Sequence, residues 1–265
     1  MTDDATAWTF SADRTRQFDA VAVAYDRHRP PFPDSLFAAL AQVVPDGGRI
    51  VEVGSGTGRA TLPLARRGYR IVAIEPGVGL AAVARAKLRA FPDVRVEEAR
   101  FEDWPGEEGG FDLVLAADAW HWVEPEAGAR AAARLLRPGG RLAIAWSLIR
   151  GFRPAEFGAR LEATWASATP NGARALQAAG DSGRWWLERL AESGRFEPAE
   201  ESRHPLERRL TGRGFRREMA TYGWVLGLPA AERGRLLDST ARLLDEAAGP
   251  MVVLGETVLY TARRR

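Results

Sequence analysis

The chain of 265 residues has no cysteine, and lysine occurs only once, at Lys87. The absence of cysteine excludes a disulfide-stabilised scaffold, a thiolate nucleophile, an iron–sulfur cluster and a cysteine zinc site. The phosphate-binding loop with its Gly-Lys-Ser/Thr step is also excluded, because Lys87 follows an alanine. Schiff-base chemistry is disfavoured for the same shortage of lysine.

Charge of one sign does not dominate the sequence either. There are 37 basic and 35 acidic side chains, for a formal net charge of +2, and the pI is about 9.4. All but one of the basic residues are arginine, which is more typical of a GC-rich coding sequence than of nucleic-acid binding. We therefore expect no nucleic-acid partner.

Long apolar runs are absent as well. No stretch approaches the roughly 18 uninterrupted apolar residues of a membrane span. The first residues, MTDDATAWTFSADRTRQF, carry aspartates where a signal peptide has basic residues and then an apolar run. The sequence has no H-E-x-x-H, no G-x-S-x-G and no cluster of metal ligands. We expect a cytoplasmic protein without a metal site and without a membrane partner.

Between residues 49 and 147, short apolar runs alternate with segments of helical composition. Alternation at about 10–15 residues predicts right-handed crossovers and a parallel sheet with helices on both faces. The predicted strands lie at the start of 49–58 and over 69–76, 94–99, 111–117 and 141–147, and the predicted helices over 59–68, 78–91 and 125–140.

The flanking regions have a mostly helical pattern. Proline residues in HRPPFP (28–33) predict an extended interruption between the helices of the N-terminal segment. The other predictions are one or two helices over 16–44, helices over 150–194 and 212–247 with a break at 227–229, a strand near a sheet edge over 196–210, and a last strand over 256–264.

A glycine loop (residues 54–58) joins the first predicted strand to the helix that follows. Glycine at alternate positions permits positive φ and a close ligand, and free N–H groups converge at the start of a helix. Glu75 lies at the carboxyl end of the next strand, where a carboxylate can accept hydrogen bonds from both hydroxyls of a ribose. The two features together predict an adenosine-containing ligand; a tight turn that holds no ligand is the alternative.

The spacing of the glycines indicates which adenosine ligand is bound. A dinucleotide fingerprint requires its third glycine at position 59, where this chain has Arg59, whereas the third glycine here is Gly58. The E-x-G-x-G-x-G pattern, which begins at Glu52, resembles the first motif of the class I S-adenosylmethionine-dependent methyltransferases. An NAD-dependent oxidoreductase is therefore a weaker hypothesis.

The resemblance covers roughly residues 18–264 and is closest to one bacterial and fungal branch with Y-x-x-x-R-P and H-W-V motifs. It is carried by AYDRHRPPFPDSLFAAL (24–40), VEEARFEDWP (96–105), FDLVLAADAWHWVEPE (111–126), LLRPGGRLAIAW (135–146), Thr221-Tyr222 and LYTARR (259–264). It implies an α/β fold with a Rossmann-like seven-stranded sheet in the order 3-2-1-4-5-7-6, an antiparallel last hairpin and a helical cap. Within one structural domain we expect a cap segment (1–45), a cofactor-binding core (46–150) and cap helices with the last strands (151–265).

The same resemblance implies S-adenosylmethionine as cofactor and S-adenosylhomocysteine as product. Many family members have an aspartate at the position of Arg100, so the adenine contact is assigned here to the Phe101 backbone or to Glu102. The implied cofactor residues are Gly54, Ser55, Gly56, Thr57 and Gly58 at the methionine part, Glu75 and Pro76 at the ribose, Arg100, Phe101 and Glu102 near adenine, Ala116 and Ala117 beneath the sulfonium, and Arg29 over the carboxylate.

Transfer from a sulfonium mainly requires alignment of the reactants and exclusion of water, and a base is needed only for a protonated acceptor. His121 is the candidate base because it follows the fourth strand at its carboxyl end, where open α/β sheets bind ligands. By the resemblance, Tyr25 is its candidate partner. A histidine packed between Trp120 and Trp122 is the alternative.

Asp118 is expected to cap the following helix or to orient a cationic substrate.

Nine tryptophans are many for this length. Core packing is the commoner role of any one tryptophan, but as a group they could line an aromatic pocket or contact the sulfonium, and we expect at least two to face the pocket. The candidate substrate residues are Trp120, Trp122, Trp146, Trp185, Trp186, Tyr222 and Trp224.

The sequence thus predicts a methyltransferase that acts on a small, hydrophobic or aromatic metabolite at O, N or C, with natural product biosynthesis as its setting. We expect a monomer or homodimer. One alternative is an S-adenosylmethionine-binding protein with another activity, such as a cyclase or a regulator. A second is an RNA or protein methyltransferase, which is disfavoured by the lack of a lysine cluster or an added recognition domain.

Overall fold

The computed structural model describes residues 12–168, 183–247 and 251–265. The strands are β1 (Arg49–Val53), β2 (Arg70–Ile74), β3 (Val94–Glu97), β4 (Phe111–Ala117), β5 (Leu136–Arg153), β6 (Glu200–Leu210) and β7 (Met251–Arg263). They form one sheet in the order β3-β2-β1-β4-β5-β7-β6. β1 to β5 run parallel, and β7 is antiparallel to both β5 and β6. The expected order and the antiparallel hairpin are confirmed.

Helices cover both faces of this sheet and extend beyond one end of it. They are α1 (Ala12–Ala20), α2 (Ala22–His28), α3 (Asp34–Ala41), α4 (Thr61–Ala65), α5 (Val78–Leu88), α6 (Pro125–Leu135), α7 (Ala155–Ala168), α8 (183–192), α9 (Gly212–Met219), α10 (Gly223–Leu226) and α11 (Ala230–Asp245). Short 3-10 turns follow β3 and β4, at Phe101–Asp103 and Trp120–Trp122. Over the described ranges, no helix is long and apolar enough to cross a membrane.

Three apolar clusters hold these elements together. One lies between the sheet and α6 with α8, and a second lies between the opposite face and α3 with α4. Both faces of the central strands are therefore covered, which explains why β1 and β4 are almost continuous apolar runs. The third cluster lies among α7, α9, α11 and the outer ends of the paired strands β5 and β7. It forms a separate core for the helical cap.

Several helix and strand ends predicted from the sequence differ from those in the structure. The helix predicted over 125–140 ends at Leu135, because Leu136 already pairs with Phe111 of β4. The strands predicted over 141–147 and 256–264 are both longer in the structure. β5 and β7 go on pairing as far as Arg153 with Val252, and Leu136 at the start of β5 pairs with Phe111 of β4. The helix predicted over 59–68 is limited to α4, since turns occupy residues 56–60 and 66–68.

Other predictions outside the central region are confirmed. The proline segment after α2 is extended and separates α2 from α3. β6 is the edge strand, as predicted. Proline has no backbone N–H to donate, and Pro205 is tolerated in β6 because no further strand pairs with its outer side. Part of the helical prediction over 150–194, residues 169–182, lies outside the described residues.

Candidate functional site

The glycine loop lies at the carboxyl end of β1, between β1 and α4. Gly54, Gly56 and Gly58 have φ values of +60°, +58° and +76°. At position 54 a Cβ would lie 2.7 Å from the Cβ of Ala119, so glycine is required for the close approach of the loop to the end of β4. At position 56 the nearest atom to such a Cβ would be Cε1 of Tyr25, at 4.0 Å. The backbone of Gly56 is therefore open on the side of α2.

Glu75 connects this loop to the end of β2. Its Oε2 accepts a hydrogen bond from the Gly56 backbone N–H at 2.8 Å, and its Oε1 accepts one from the Gly77 N–H at 2.8 Å. The side chain is buried, and burial raises its pKa to about 7 against the lowering effect of the two hydrogen bonds. The structure thus brings together the loop and the carboxylate that the sequence singled out, with Pro76 between Glu75 and Gly77.

Two hydroxyl groups of the loop are buried without a protein partner. Oγ of Ser55 and Oγ1 of Thr57 make no hydrogen bond within the part of the chain that the structure describes. A buried polar group without a partner costs about 1–3 kcal/mol. Such groups are typical of a surface that a polar ligand completes.

Arg59 adds a cation beside the loop, although the sequence analysis did not assign it to the site. Its guanidinium contacts the backbone carbonyl of Pro30, lies 4.6 Å from the ring of Phe32, and has one nitrogen 3.5 Å from the Tyr25 hydroxyl. Another contact is with Asp118, at 3.9 Å from Oδ2. Arg59 therefore joins three chain segments around the loop. The signal that could have found it is its position directly after the third glycine.

Asp118 has a different role from the helix cap that the sequence analysis expected. Its Oδ1 accepts a hydrogen bond from the Ser147 backbone N–H at 2.7 Å, and no side chain caps the turn that begins after Ala119. The expectation of a cap is wrong, because the carboxylate points along the sheet toward β5. Asp118 is also in the left-handed region, with φ of +56°, which is uncommon for a residue with a side chain and occurs often at functional sites.

Glu52 fixes the base of the loop. This carboxylate in β1 is fully buried and accepts a hydrogen bond from Oγ1 of Thr61 in α4, at 2.6 Å. Burial raises the pKa of Glu52 to about 7, and the nearby Glu75 contributes in the same direction. The contact ties α4 to β1 and so holds the glycine loop between them.

None of the acidic residues belongs to a group of metal ligands in residues 12–168, 183–247 and 251–265.

A row of aromatic rings connects α2 with the turn after β4. The ring of Phe18 packs edge-on against Tyr25 at 6.0 Å and against Trp122 at 6.1 Å. The Trp122 ring in turn lies 4.9 Å from the imidazole of His121. Phe18 thus contacts both Tyr25 and Trp122, and the pairing of Tyr25 with His121 stays a prediction.

His121 also contacts β5. Nε1 of Trp146 donates a hydrogen bond to Nδ1 of His121 at 3.4 Å. The Trp146 ring packs edge-on against Tyr260 at 5.9 Å and is almost fully buried. The histidine is therefore placed beyond the carboxyl end of β4, beside the interior of β5.

The predicted adenine residues follow β3, which pairs with β2, and they contact residues after β4. Phe101 is buried and packs against Trp120, with the ring centroids 6.1 Å apart. Oε1 of Glu102 accepts a hydrogen bond from the Glu124 backbone N–H at 3.0 Å and pairs with Arg100 at 3.3 Å. The Phe101 backbone and Glu102 stay candidates for the adenine contact.

The remaining candidate residues differ in burial. Trp120 and Trp186 belong to the core beneath the sheet, and Trp186 packs edge-on with Trp185 at 4.6 Å. Trp224 packs against Trp165 within the cap cluster. Ala116 is buried and Ala117 half-buried at the end of β4. The expectation that at least two tryptophans face a pocket stays a prediction.

Arg29 is engaged with the cap. It donates from Nε to Oγ1 of Thr221 at 3.0 Å and from a terminal nitrogen to the Thr221 carbonyl at 3.1 Å. Its guanidinium stacks on the rings of Tyr222 and Tyr25, at 4.3 and 5.0 Å from the centroids. The Tyr222 hydroxyl donates to the buried Glu218 at 2.6 Å. Arg29 thus joins α2 to α9 and α10.

Glu218 completes this polar joint. Its two carboxylate oxygens accept hydrogen bonds from the two terminal nitrogens of Arg208, at 2.8 and 2.9 Å. Its own backbone carbonyl accepts a hydrogen bond from Oγ1 of Thr221 at 2.6 Å. The sequence analysis missed Glu218 and Arg208, because no local pattern indicates that they meet each other or the N-terminal segment.

Comparison with known proteins gives a family match in the central region. Residues 51–144 match the model of a methyltransferase domain. An uncharacterized methyltransferase of Mycobacterium tuberculosis is 37% identical over 139 residues, which are 51% of this chain and 54% of that protein. The demethylmenaquinone methyltransferase of Clavibacter sepedonicus is 34% identical over 134 residues, 48% of this chain and 55% of that protein.

A solved structure shows the same fold over most of the chain. It is phosphoethanolamine N-methyltransferase 2 of Haemonchus contortus in complex with S-adenosyl-L-methionine, with a TM-score of 0.56 and 15% identity, covering 92% of this chain and 57% of that one. The chain spans about half the length of the curated relatives that it matches. Similarity in sequence is thus concentrated in the half of the chain that carries the glycine loop.

Proposed function

We propose that the protein, whose residues 51–144 match a methyltransferase domain, transfers the methyl group of S-adenosylmethionine to a small organic molecule. The observation that carries this proposal is the pairing of the glycine loop with Glu75 across the ends of β1 and β2. A ribose presents two adjacent hydroxyl groups, and a carboxylate held by Gly56 and Gly77 still has lone pairs to accept from them.

The residues around the loop fit the other parts of this cofactor. Its methionine part carries an ammonium and a carboxylate, and Asp118 and Arg59 offer charges of the opposite signs 3.9 Å apart beside the loop. The hydroxyls of Ser55 and Thr57, which have no partner among the described residues, supply further polar contacts, and the space beside Gly56 leaves room for the ligand. When bound, the cofactor supplies a methyl group activated by a sulfonium; the protein's part is to hold it and to exclude water.

The methyl acceptor would lie near the aromatic side chains of β5 and of the turn after β4. Trp122 and His121 are half-buried there, and Trp146 lies beside them. Aromatic rings favour a flat or apolar acceptor and a positively charged methyl donor. The name of the Clavibacter relative, which is 34% identical, supports a small apolar acceptor of this kind. The acceptor atom, the natural-product setting and a cytoplasmic location stay predictions.

Binding and turnover test the proposal separately. Isothermal titration calorimetry with S-adenosylhomocysteine should show saturable binding, and incubation with S-adenosylmethionine and a panel of quinols, phenols and amines should release S-adenosylhomocysteine with at least one of them. Binding without release across the panel would favour a protein that holds the cofactor for another purpose. Absence of binding would contradict the proposal outright.

A further inference from the structure

The contact between Trp146 and His121 determines where the imidazole carries its proton. Trp146 lies in β5 directly after Ala145, which pairs with the last residue of β4, and His121 follows β4 by four residues. Trp146 is held within β5, where it pairs with Val258 of β7, and His121 lies in the short 3-10 turn after β4. Packing of Trp146 on Tyr260 and of His121 on Trp122 further limits the motion of both rings.

The indole N–H of Trp146 is a donor and never an acceptor. The side chain is almost fully buried, at 6% exposure, so this N–H has exchanged water for a protein partner, which is Nδ1 of His121 at 3.4 Å. A ring nitrogen that accepts a hydrogen bond carries no proton itself. In a neutral imidazole the proton is then on the other nitrogen, Nε2.

We propose that Trp146 is a positioning residue that holds neutral His121 as the tautomer with its proton on Nε2. In this state the histidine donates a hydrogen bond through Nε2 and takes up no proton at either nitrogen while the bond to Trp146 is intact. His121 is then a hydrogen-bond donor to the methyl acceptor or to a group beside it, and not its general base. The catalytic consequence rests on the proposed function; the tautomer does not.

The tautomer limits the class of acceptor that this site would use. A nucleophile that needs no base at the moment of transfer has a free lone pair, as a neutral amine or an already ionised oxygen or carbon does. A donor at Nε2 would orient such a molecule by an acceptor atom, for example a carbonyl oxygen. An alcohol that must lose its proton to His121 fits this arrangement poorly.

Nitrogen NMR tests the tautomer directly on the intact protein without cofactor or substrate. The chain has three histidines, His28, His121 and His204, so long-range proton–nitrogen correlation spectra contain three imidazole patterns. Loss of one pattern in His121→Gln assigns that of His121. We expect the pattern of an unprotonated Nδ1 and a protonated Nε2 in the wild type at a pH where the ring is neutral.

Two tryptophan variants then separate the effect of the indole N–H from that of packing. Trp146→Phe keeps a ring but removes the donor, and should convert the single tautomer of His121 into a mixture with a measurable share of protonated Nδ1. Trp122→Phe is the matched control, because Trp122 contacts the same imidazole through its ring at 4.9 Å, and it should leave the pattern as in the wild type. A wild-type ring protonated at Nδ1, or an unchanged pattern in Trp146→Phe, would overturn the proposal.

A second measurement covers the case in which Trp146→Phe does not fold. In the wild type, the Trp146 indole proton should exchange with solvent slowly and shift when Nδ1 is removed in His121→Phe. An indole proton that is identical in shift and exchange rate in wild type and His121→Phe would also refute the contact. Neither spectrum depends on cofactor binding, so failure of the proposed function and failure of this inference give different results.

Discussion

The glycine-loop site and the polar joint between α2 and the cap differ in how far apart in the chain their partners are. At the loop, Gly56 meets Glu75 only 19 residues away, and Glu52 meets Thr61 only nine residues away. At the joint, Arg29 meets Thr221 across 192 residues. The first site is built from one strand–loop–helix unit and its neighbour. The second contains a local pair, Glu218 with Arg208, but it also needs the N-terminal segment to contact Thr221.

This difference explains why the sequence pattern indicates the loop site but not the joint. The loop site is indicated by the spacing of its glycines and by a carboxylate at a strand end. Both follow from the short connections between β1, α4 and β2, which fix where the loop and the carboxylate meet. Arg29 and Thr221-Tyr222 lie in motifs of the family that the sequence resembles, but no periodicity or spacing indicates that these two motifs contact each other. The predictions below therefore compare a local site with a long-range one, from the largest expected effect to the smallest.

Removing the carboxylate of the joint should have the largest effect on stability. Glu218→Ala leaves the guanidinium of Arg208 and the hydroxyl of Tyr222 without their buried partner, and losing one member of a buried pair costs about 3–5 kcal/mol. Chemical denaturation measures the free energy of unfolding. Glu207→Ala, which breaks the exposed pair with Arg153, is the control and should cost at most about 1 kcal/mol. Equal losses in both variants would mean that the joint contributes no more than a surface ion pair.

The loop site should show its buried carboxylates in the pH dependence of stability. The pKa of Glu52 is about 7 in the folded protein and 4.5 as its reference value. The folded state therefore holds a proton that the unfolded state releases, and stability is full below pH 4.5 and falls as the pH rises toward 7. The difference corresponds to a loss on the order of 3 kcal/mol.

Glu52→Gln should flatten this pH dependence, because glutamine does not titrate. The measurement is a series of denaturation curves between pH 4.5 and 7.5, with Glu200→Gln, an exposed carboxylate on β6, as the control that keeps the wild-type slope. Part of the slope should persist in Glu52→Gln, since burial also raises the pKa of Glu75 to about 7. A variant with the full wild-type slope would show that Glu52 does not titrate in this range.

A pair of glycine variants separates ligand binding from backbone strain. Gly56 and Gly68 both have positive φ, at +58° and +81°, so a side chain at either position costs roughly 1–2 kcal/mol of stability. Only Gly56 belongs to the loop. Gly56→Ala should therefore also weaken S-adenosylhomocysteine binding by about tenfold or more, which is about 1.4 kcal/mol, whereas Gly68→Ala should bind as the wild type does. Equal affinities in calorimetry would place the cofactor away from Gly56.

A milder change at the joint should have the smallest effect. Lysine at position 29 keeps the positive charge but loses the planar group that stacks on Tyr222 and donates twice to Thr221. Arg29→Lys should lower the free energy of unfolding by about 1 kcal/mol. Thermal unfolding of the two proteins under the same conditions checks this value, and an unchanged melting temperature would show that the contacts of Arg29 do not hold the cap.

The sequence predicted the elements that local patterns determine. Strand β4 was placed with its observed ends, and the loop, Glu75 and the edge position of β6 follow from apolar runs, glycine spacing and proline. The sheet order came from the resemblance to a family and not from periodicity. Helix α6 is shorter than the helix predicted over 125–140, because Leu136 pairs with Phe111 of β4 and ends the helix at Leu135.

The residues that sequence reasoning missed act through side-chain contacts between different elements, whether these are near or far apart along the chain. Arg59 meets Pro30 and Asp118, and Glu218 meets Arg208 across the turn between β6 and α9. Asp118 was assigned to the helix after it, yet it bonds Ser147 on the next strand. Side-chain direction at strand ends depends on tertiary packing, which no local pattern contains.

The most direct test of the central claim is the affinity of S-adenosylhomocysteine for wild-type protein and for Glu75→Gln, measured by calorimetry. A carboxylate that accepts hydrogen bonds from the ribose contributes about 1.5–3 kcal/mol, so the amide should weaken binding roughly 10- to 100-fold while the protein stays folded. Equal affinity in the two proteins, or no heat with either, would contradict a cofactor site at the ends of β1 and β2.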